Sequence, residues 1–272
     1  MLYFTLDLEY NQFFDFYRTG RHPEPACPSE IIQMGVVVMD DRLNIKLKRE
    51  TLVRPQIYQR LHPHVARVTG ISSDDLRGAP AFPAAFEDFF GFALGKRAVF
   101  CTWGGDDIKE LYRNILYYSL NHKRISRQFL NVQKLFGASE AGLNLARSPA
   151  FTESGEPILP HIRQVGLKSA VTAVGLPAER PFHCALSDAE YTAEILRYVL
   201  RDKSVNIKNH RQTLSLEDLR DSINFRVHGV NIRLLQKHAE HMLGRKLNDR
   251  DKEAFFDMYK MGRENKFDVN KL

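Results

Sequence analysis

Tyr3-Phe4-Thr5-Leu6-Asp7-Leu8-Glu9-Tyr10 reads as a β-strand in which two carboxylates interrupt an otherwise apolar run at alternate positions. Side chains two apart on a strand share a face, so Thr5, Asp7 and Glu9 point one way while Phe4, Leu6, Leu8 and Tyr10 point the other. Taken alone, the pattern serves equally an ordinary half-buried strand with one wet face. Its meaning depends on whether further acids and a base arrive beside that pair.

Downstream, the chain first continues as strands. Residues 31–39 are rich in β-branched side chains and end at the turn signal Asp40-Asp41, and a third strand is expected over 46–54, closed by Pro55. Three strands joined in this way make an antiparallel meander with the acidic strand first. The connection before residue 30 holds Phe13, Phe14, Phe16 and Tyr17 beside Arg18 and Arg21. Such a set can stack bases and pair with phosphates, and a small apolar cluster under a loop accounts for it equally.

The period then changes. Ser72-Ser73-Asp74-Asp75 is a helix-start signal, and 82–94 reads as an aromatic-rich helix with Pro83 in its first turn. A strand is expected over 97–103, Gly104-Gly105 breaks it, and a long helix follows over 106–121. Another short strand is expected at 129–132, and 137–161 lacks any periodicity, as a functional or mobile connection would. Helices are expected over 165–174 and 187–201. From about Lys203 the pattern is helical only, over 215–225, 231–243 and 249–261, with Gly244 placed to end the second. The expected architecture is therefore α/β, a mixed sheet with flanking helices over 1–202 and a basic helical extension over 203–272.

Composition narrows the class. With 43% hydrophobic and 26% charged residues in 272, the chain suits one well-buried α/β domain plus an appendage. The three cysteines, Cys27, Cys101 and Cys184, are odd in number and far apart, which fits neither a disulfide framework nor a cysteine-rich zinc site. Neither a signal peptide nor an apolar run able to span a bilayer is read from the sequence, so a cytoplasmic protein without a membrane partner is expected. The net charge of +6 is unevenly spread: residues 203–272 carry 15 Lys and Arg against 10 Asp and Glu, whereas 1–202 carry 24 against 23. An acidic partner is accordingly sought at the C-terminal quarter.

Two further acidic clusters stand at helix starts. Asp106 and Asp107 follow the glycine break, where a carboxylate suits the helix dipole as a cap and also lies at the carboxyl end of a strand, a usual place for ligands in α/β proteins. In His183-Cys184-Ala185-Leu186-Ser187-Asp188-Ala189-Glu190, the Ser187/Glu190 pair forms a capping box that starts a helix with Asp188 in its first turn. His183 falls in the loop just before. Histidine is the side-chain type suited to taking a proton from water near neutrality.

The combination is more specific than its parts. Asp-x-Glu on an N-terminal strand, an Asp before a mid-chain helix with Leu111 four residues after Asp107, and His-x-Ala-x-x-Asp-Ala late in the domain occur in one order. This arrangement resembles the DEDDh branch of the DnaQ-like 3′-to-5′ exonucleases, which have a ribonuclease H-like fold. It looks most like the branch of KapD-type bacterial proteins and the eukaryotic exonucleases that trim small RNAs and histone messages. Glu30-Ile31-Ile32-Gln33-Met34-Gly35, Thr69-Gly70-Ile71 and Gly166-Leu167-Lys168-Ser169-Ala170 agree with it. Asn11 departs from it, standing where many members have a small hydroxyl residue.

The resemblance implies Asp7, Glu9, Asp107 and Asp188 as ligands of two divalent cations, Mg²⁺ or Mn²⁺, and His183 as general base. It implies hydrolysis of single-stranded RNA or DNA from the 3′ end. The rival from another class is a catalytically silent nucleic-acid-binding or regulatory module that keeps the fold. In the tail, Arg233, Lys237, His241 and Arg245 recur every four residues and so align on one helix face. That stripe reads either as a phosphate-tracking surface, with Arg233 and Lys237 binding nucleic acid, or as a solvated face.

Overall fold

The computed structural model describes residues 1–13, 24, 26–91, 97–147, 165–201, 205–216, 219, 240, 244–248 and 251. The chain divides into two compact units, Met1–Ile223 and Asn224–Leu272. In the first, the acidic strand is β1 (Leu2–Gln12), followed by β2 (Ser29–Met39) and β3 (Ile45–Leu52) in the expected antiparallel meander. β4 (Ala98–Thr102), β5 (Gln128–Asn131) and β6 (Arg211–Thr213) complete a sheet of order β3-β2-β1-β4-β5-β6. β4 runs parallel to β1 and β5 parallel to β4, while β6 is antiparallel to β5. The β1–β4 pairing ends at Thr5 opposite Cys101. Asp7 and Glu9 therefore lie past its end, on an edge that the β4 ladder leaves open.

The helices are α1 (Pro63–Thr69), α2 (Ser73–Arg77), α3 (Phe82–Phe90), α4 (Asp106–Tyr117), α5 (Val132–Gly137), α6 (Glu140–Arg147), α7 (Leu167–Ala173), α8 (Ala185–Arg201) and α9 (Ile207–His210). Strand alternation sorts them into two layers. Phe4, Leu6 and Leu8, with Met34, Val36 and Val38, form one core with the phenylalanines of α3 and with Ile108, Leu111, Tyr112 and Ile115 of α4. Tyr3, Val37, Val99 and Leu130 form the other with α5, α7 and the Ala189, Ile195 and Val199 face of α8. Full burial of one such side chain is worth roughly 1.5–3 kcal/mol, so each helix is held to the sheet by several mutually reinforcing contacts.

Three expectations are corrected. Within 137–161, the expected structureless connection, α6 forms from Glu140 because Ser139 Oγ accepts the Gly142 N–H at 3.3 Å and its carbonyl accepts the Leu143 N–H at 2.9 Å. A cap made by one buried serine leaves little periodic signal. Beyond 203 the chain is not helical throughout, since Arg211–Thr213 adds an edge strand to β5. Three residues are too few to display a strand period. The sheet thus continues past residue 202, and the division between compact units falls after Ile223. The third correction concerns the start of α8 and is taken up with the site. The helices expected over 215–225, 231–243 and 249–261 lie largely outside the described residues; Gly244 has a φ of 64°, the left-handed conformation expected where a helix ends. Among the described residues, no helix is long and apolar enough to cross a membrane.

Candidate active site

Register sets the first two acids. Asp7 lies opposite Gly35 and Glu9 opposite Gln33 on β2, with Thr5 opposite Val37, and all face the layer that contains α8. Gly35 lets α8 approach. A Cβ there would come within 2.2 Å of the Ala185 carbonyl carbon and 2.3 Å of the Leu186 nitrogen, both backbone atoms that cannot rotate aside. Gly35→Ala is therefore expected to destabilise the fold by the upper end of about 1–3 kcal/mol or more, and to lower activity by displacing α8. Thermal melting and a turnover assay check it; unchanged values in both would show that α8 does not sit this close.

Asp107 arrives from the opposite layer. Gly104, with a φ of 105°, turns the chain out of β4, and α4 begins at Asp106. Asp106 stays at the surface on the Lys109 ammonium at 3.0 Å, its side chain 68% exposed. Asp107 is buried, accepts the Tyr10 hydroxyl at 2.6 Å, and is also approached by the Leu8 backbone N–H of β1. Of the neighbouring acids, Asp107 is thus the one that reaches the β1 pair.

Asp188 and His183 arrive with α8. The expected Ser187/Glu190 capping box is not what starts this helix: it begins at Ala185, and Ser187 is buried within its first turn. The Ala185 N–H is taken by Gln33 Oε1 at 3.1 Å and the Leu186 N–H by Glu50 Oε1 at 3.4 Å. Side chains from β2 and β3 thus replace the local cap, which no spacing rule reveals. Asp188 Oδ2 accepts the His183 N–H at 3.0 Å, and His183 has a φ of 62°. Ligand-capable atoms of Glu9, His183 and Asp188 lie within 4.8 Å of one another.

The four carboxylates share one electrostatic environment. Burial, then the charges of Asp107, Asp188 and Glu9, push the Asp7 carboxyl well above the usual carboxylate range. Glu9 is pushed up to about 7 by burial and then by Asp188 and Asp107. Burial likewise raises Asp107 to about 7, although its hydrogen bond from Tyr10 works in the opposite direction. Asp188 is raised by burial, with the His183 N–H offsetting part of the rise. Like charges gathered in a low-dielectric recess destabilise a fold unless cations are held there.

With this geometry in view, the family comparison is decisive: the model of the family described as Exonuclease (RNase_T) matches residues 13–196. The chain belongs to the exonuclease family. Among solved structures, this exonuclease is similar to a 3′-exonuclease studied for 3′-end specific recognition of a histone mRNA stem-loop. The two share 21% identity with a TM-score of 0.57, over 79% of this chain and 91% of that one. It is also similar to the nuclease domain of 3′hExo, a DEDDh family member bound to rAMP, at 22% identity and a TM-score of 0.57, over 78% of this chain and 97% of that one. Exonuclease I of E. coli in complex with a dA16 oligonucleotide matches at 16% identity and a TM-score of 0.51, over 81% of this chain and 42% of that one. These likenesses show that the chain shares the fold of these exonucleases. No curated protein matches the sequence.

The residues of this exonuclease fit hard divalent cations. The donors are carboxylate oxygens, the type Mg²⁺ and Mn²⁺ prefer, and Asp188 Oδ1 is buried with no hydrogen-bond partner among the described residues. Sequence reasoning missed Tyr10, assigned to the apolar face, and also Gln33 and Glu50; the one signal for Gln33 was a polar residue inside an otherwise apolar strand. Asn11 is buried, donating to the Tyr58 and Arg60 carbonyls at 2.6 and 3.0 Å and accepting the His62 N–H at 2.9 Å, so it shapes the loop beside β1. Phe14, Phe16, Tyr17, Arg18 and Arg21 lie outside the described residues, as do Arg233 and Lys237.

Proposed function

We propose that this exonuclease removes nucleoside monophosphates stepwise from the 3′ end of single-stranded RNA or DNA. Asp7, Glu9, Asp107 and Asp188 would hold two divalent cations, Mg²⁺ or Mn²⁺, and His183 would be the general base. The observation that carries this reading is the gathering of four mutually repelling carboxylates, one with an orphaned buried oxygen, beside a histidine at the end of β1. The chemistry that a bound cation pair supplies is neutralisation of the transferring phosphate and stabilisation of the attacking and leaving oxygens of an in-line displacement.

The chain's own residues do the rest. Asp7 and Glu9, held by the sheet, and Asp107, held by Tyr10, would form one wall of carboxylate donors. Asp188 is oriented by the His183 N–H, which leaves its second oxygen turned inward. The His183 imidazole, exposed beside Glu9 and Asp188, would accept the proton of the attacking water and deliver it to solvent. One similar structure concerns recognition of a histone mRNA stem-loop and another is a complex with dA16, so both polymers merit testing here.

The test is incubation with 5′-labelled single-stranded RNA and DNA in Mn²⁺, Mg²⁺ or excess chelator. A cation-dependent ladder shortening from the 3′ end is expected, and the faster polymer identifies the substrate class; binding with no shortening in any cation would overturn the proposal. A companion prediction concerns stability. Cations at about 100 times their dissociation constant should add about 2.7 kcal/mol, a rise in Tm of about 5–11 °C for a unit of this size. Calorimetry with and without chelator measures it, and an unchanged Tm in millimolar Mg²⁺ or Mn²⁺ would count against the carboxylate site.

A further inference from the structure

We propose that Gln33, acting through Glu50, is a positioning residue for the general base: it fixes the start of α8, and thereby the loop that presents His183. The inference rests on the role of His183 given above. Its basis is the unusual way this helix begins. A helix N-terminus leaves its first N–H groups without intrahelical partners, and they are normally satisfied by a side chain within the same turn. Here the Ala185 N–H goes to Gln33 Oε1 at 3.1 Å and the Leu186 N–H to Glu50 Oε1 at 3.4 Å, acceptors more than a hundred residues away in sequence. Gln33 Nε2 donates to that same Glu50 oxygen at 3.0 Å, so the two acceptors are locked to each other. The Cys184 thiol also points to Glu50 Oε1, at 3.4 Å.

The geometry gives this clamp a catalytic meaning. Gln33 is the register partner of Glu9, so one side chain ties the strand position beside a site carboxylate to the backbone two residues after His183. His183 is held at a φ of 62°, a conformation that non-glycine residues adopt rarely and that persists only where the surroundings impose it. On one side the loop is held by the bond from the His183 N–H to Asp188, and on the other by the Gln33–Glu50 clamp. Gly35 removes the side chain that would otherwise wedge the two elements apart. Further along, Glu190 pairs with Lys48 at 2.5 Å and with Arg180 at 3.3 Å, which holds the body of the helix. Loss of the clamp should therefore disturb the entry loop while the helix stays in place.

The polarity of the clamp supplies the test. Gln33→Glu keeps an acceptor for Ala185 but sets two carboxylates against each other. Glu50→Gln alone keeps every bond, because its amide oxygen can still accept from Gln33 and Leu186. The double variant Q33E/E50Q removes the carboxylate clash and restores the bond between residues 33 and 50 with donor and acceptor exchanged, but leaves the Leu186 N–H facing the new amide nitrogen at position 50, so it restores only part of the set. Expected on single-stranded substrate is a kcat lowered about 10- to 100-fold in Q33E with KM nearly unchanged, since displacement of about 1 Å near the chemistry can cost that much. E50Q should lie within about threefold of the wild type, and the double variant should recover part of the loss seen in Q33E. Placed on His183→Ala, Q33E should cause no further loss, because the group it positions is gone. Gln33→Met, which removes both bonds without adding charge, carries the same comparison should Q33E fail to fold, as judged by thermal melting.

An undiminished kcat in the folded Gln33 variants, absence of rescue by E50Q, or a loss of equal size on the His183→Ala background would each overturn the inference. Full activity of His183→Ala itself would instead overturn the general-base role on which it rests. The two failures are therefore distinguishable.

Discussion

Replacing Asp7 by Asn is expected to lower kcat by at least about 10³-fold, since the charge stabilisation supplied through a cation site is worth several kcal/mol and each 1.36 kcal/mol is a factor of ten. The same substitution should make the cation-free protein more stable. Burial and three neighbouring acids push the Asp7 carboxyl well above its usual range, so removing its charge relieves Asp107, Asp188 and Glu9 together. Asn has nearly the shape of Asp and keeps the packing of β1 on β2, which separates the electrostatic effect from a cavity. Addition of Mg²⁺ or Mn²⁺ should then raise the Tm far less than in the wild type. Opposite signs for activity and stability are the signature of a residue retained for chemistry at a cost to the fold. Turnover on labelled RNA and DNA and melting in chelator measure both, and a variant that is less active but also less stable in chelator would point to a structural role for Asp7.

His183→Ala is expected to lower kcat by about 10²- to 10⁴-fold, the usual range for loss of a positioned general base. Here the cation-dependent rise in Tm should survive. The contact from residue 183 that orients Asp188 is made by the backbone N–H, which alanine retains, and the imidazole is the exposed part of the arrangement. The outcome thus contrasts with Asp7→Asn, in which activity and the cation response disappear together. Activity near the wild-type level would assign proton removal to another group.

Much of this site was legible before any coordinates because its information is local. The alternation that places Thr5, Asp7 and Glu9 on one face follows from strand geometry, and β1 obeys it, with Phe4, Leu6 and Leu8 in one core and Tyr3 in the other. The acids at the start of α4 announce themselves through helix-start chemistry, whereas Asp188 lies beside a capping box that does not start α8. Their common order along the chain identified the exonuclease family, to which the chain belongs. Periodicity also located the meander, β4, β5 and α4 to within a few residues.

What the amino-acid order determined by itself, then, is most of the elements and the acids and the histidine they carry, because side-chain period acts within a few residues of chain. Only the tertiary structure decided which members of that set meet. It buries Asp107 on the hydroxyl of Tyr10 and leaves Asp106 at the surface on Lys109, and it added β6 to an edge that three residues could not announce. It replaced the expected cap of α8 by Gln33 and Glu50, since an N–H group takes whichever acceptor the packed fold brings within reach, regardless of sequence distance.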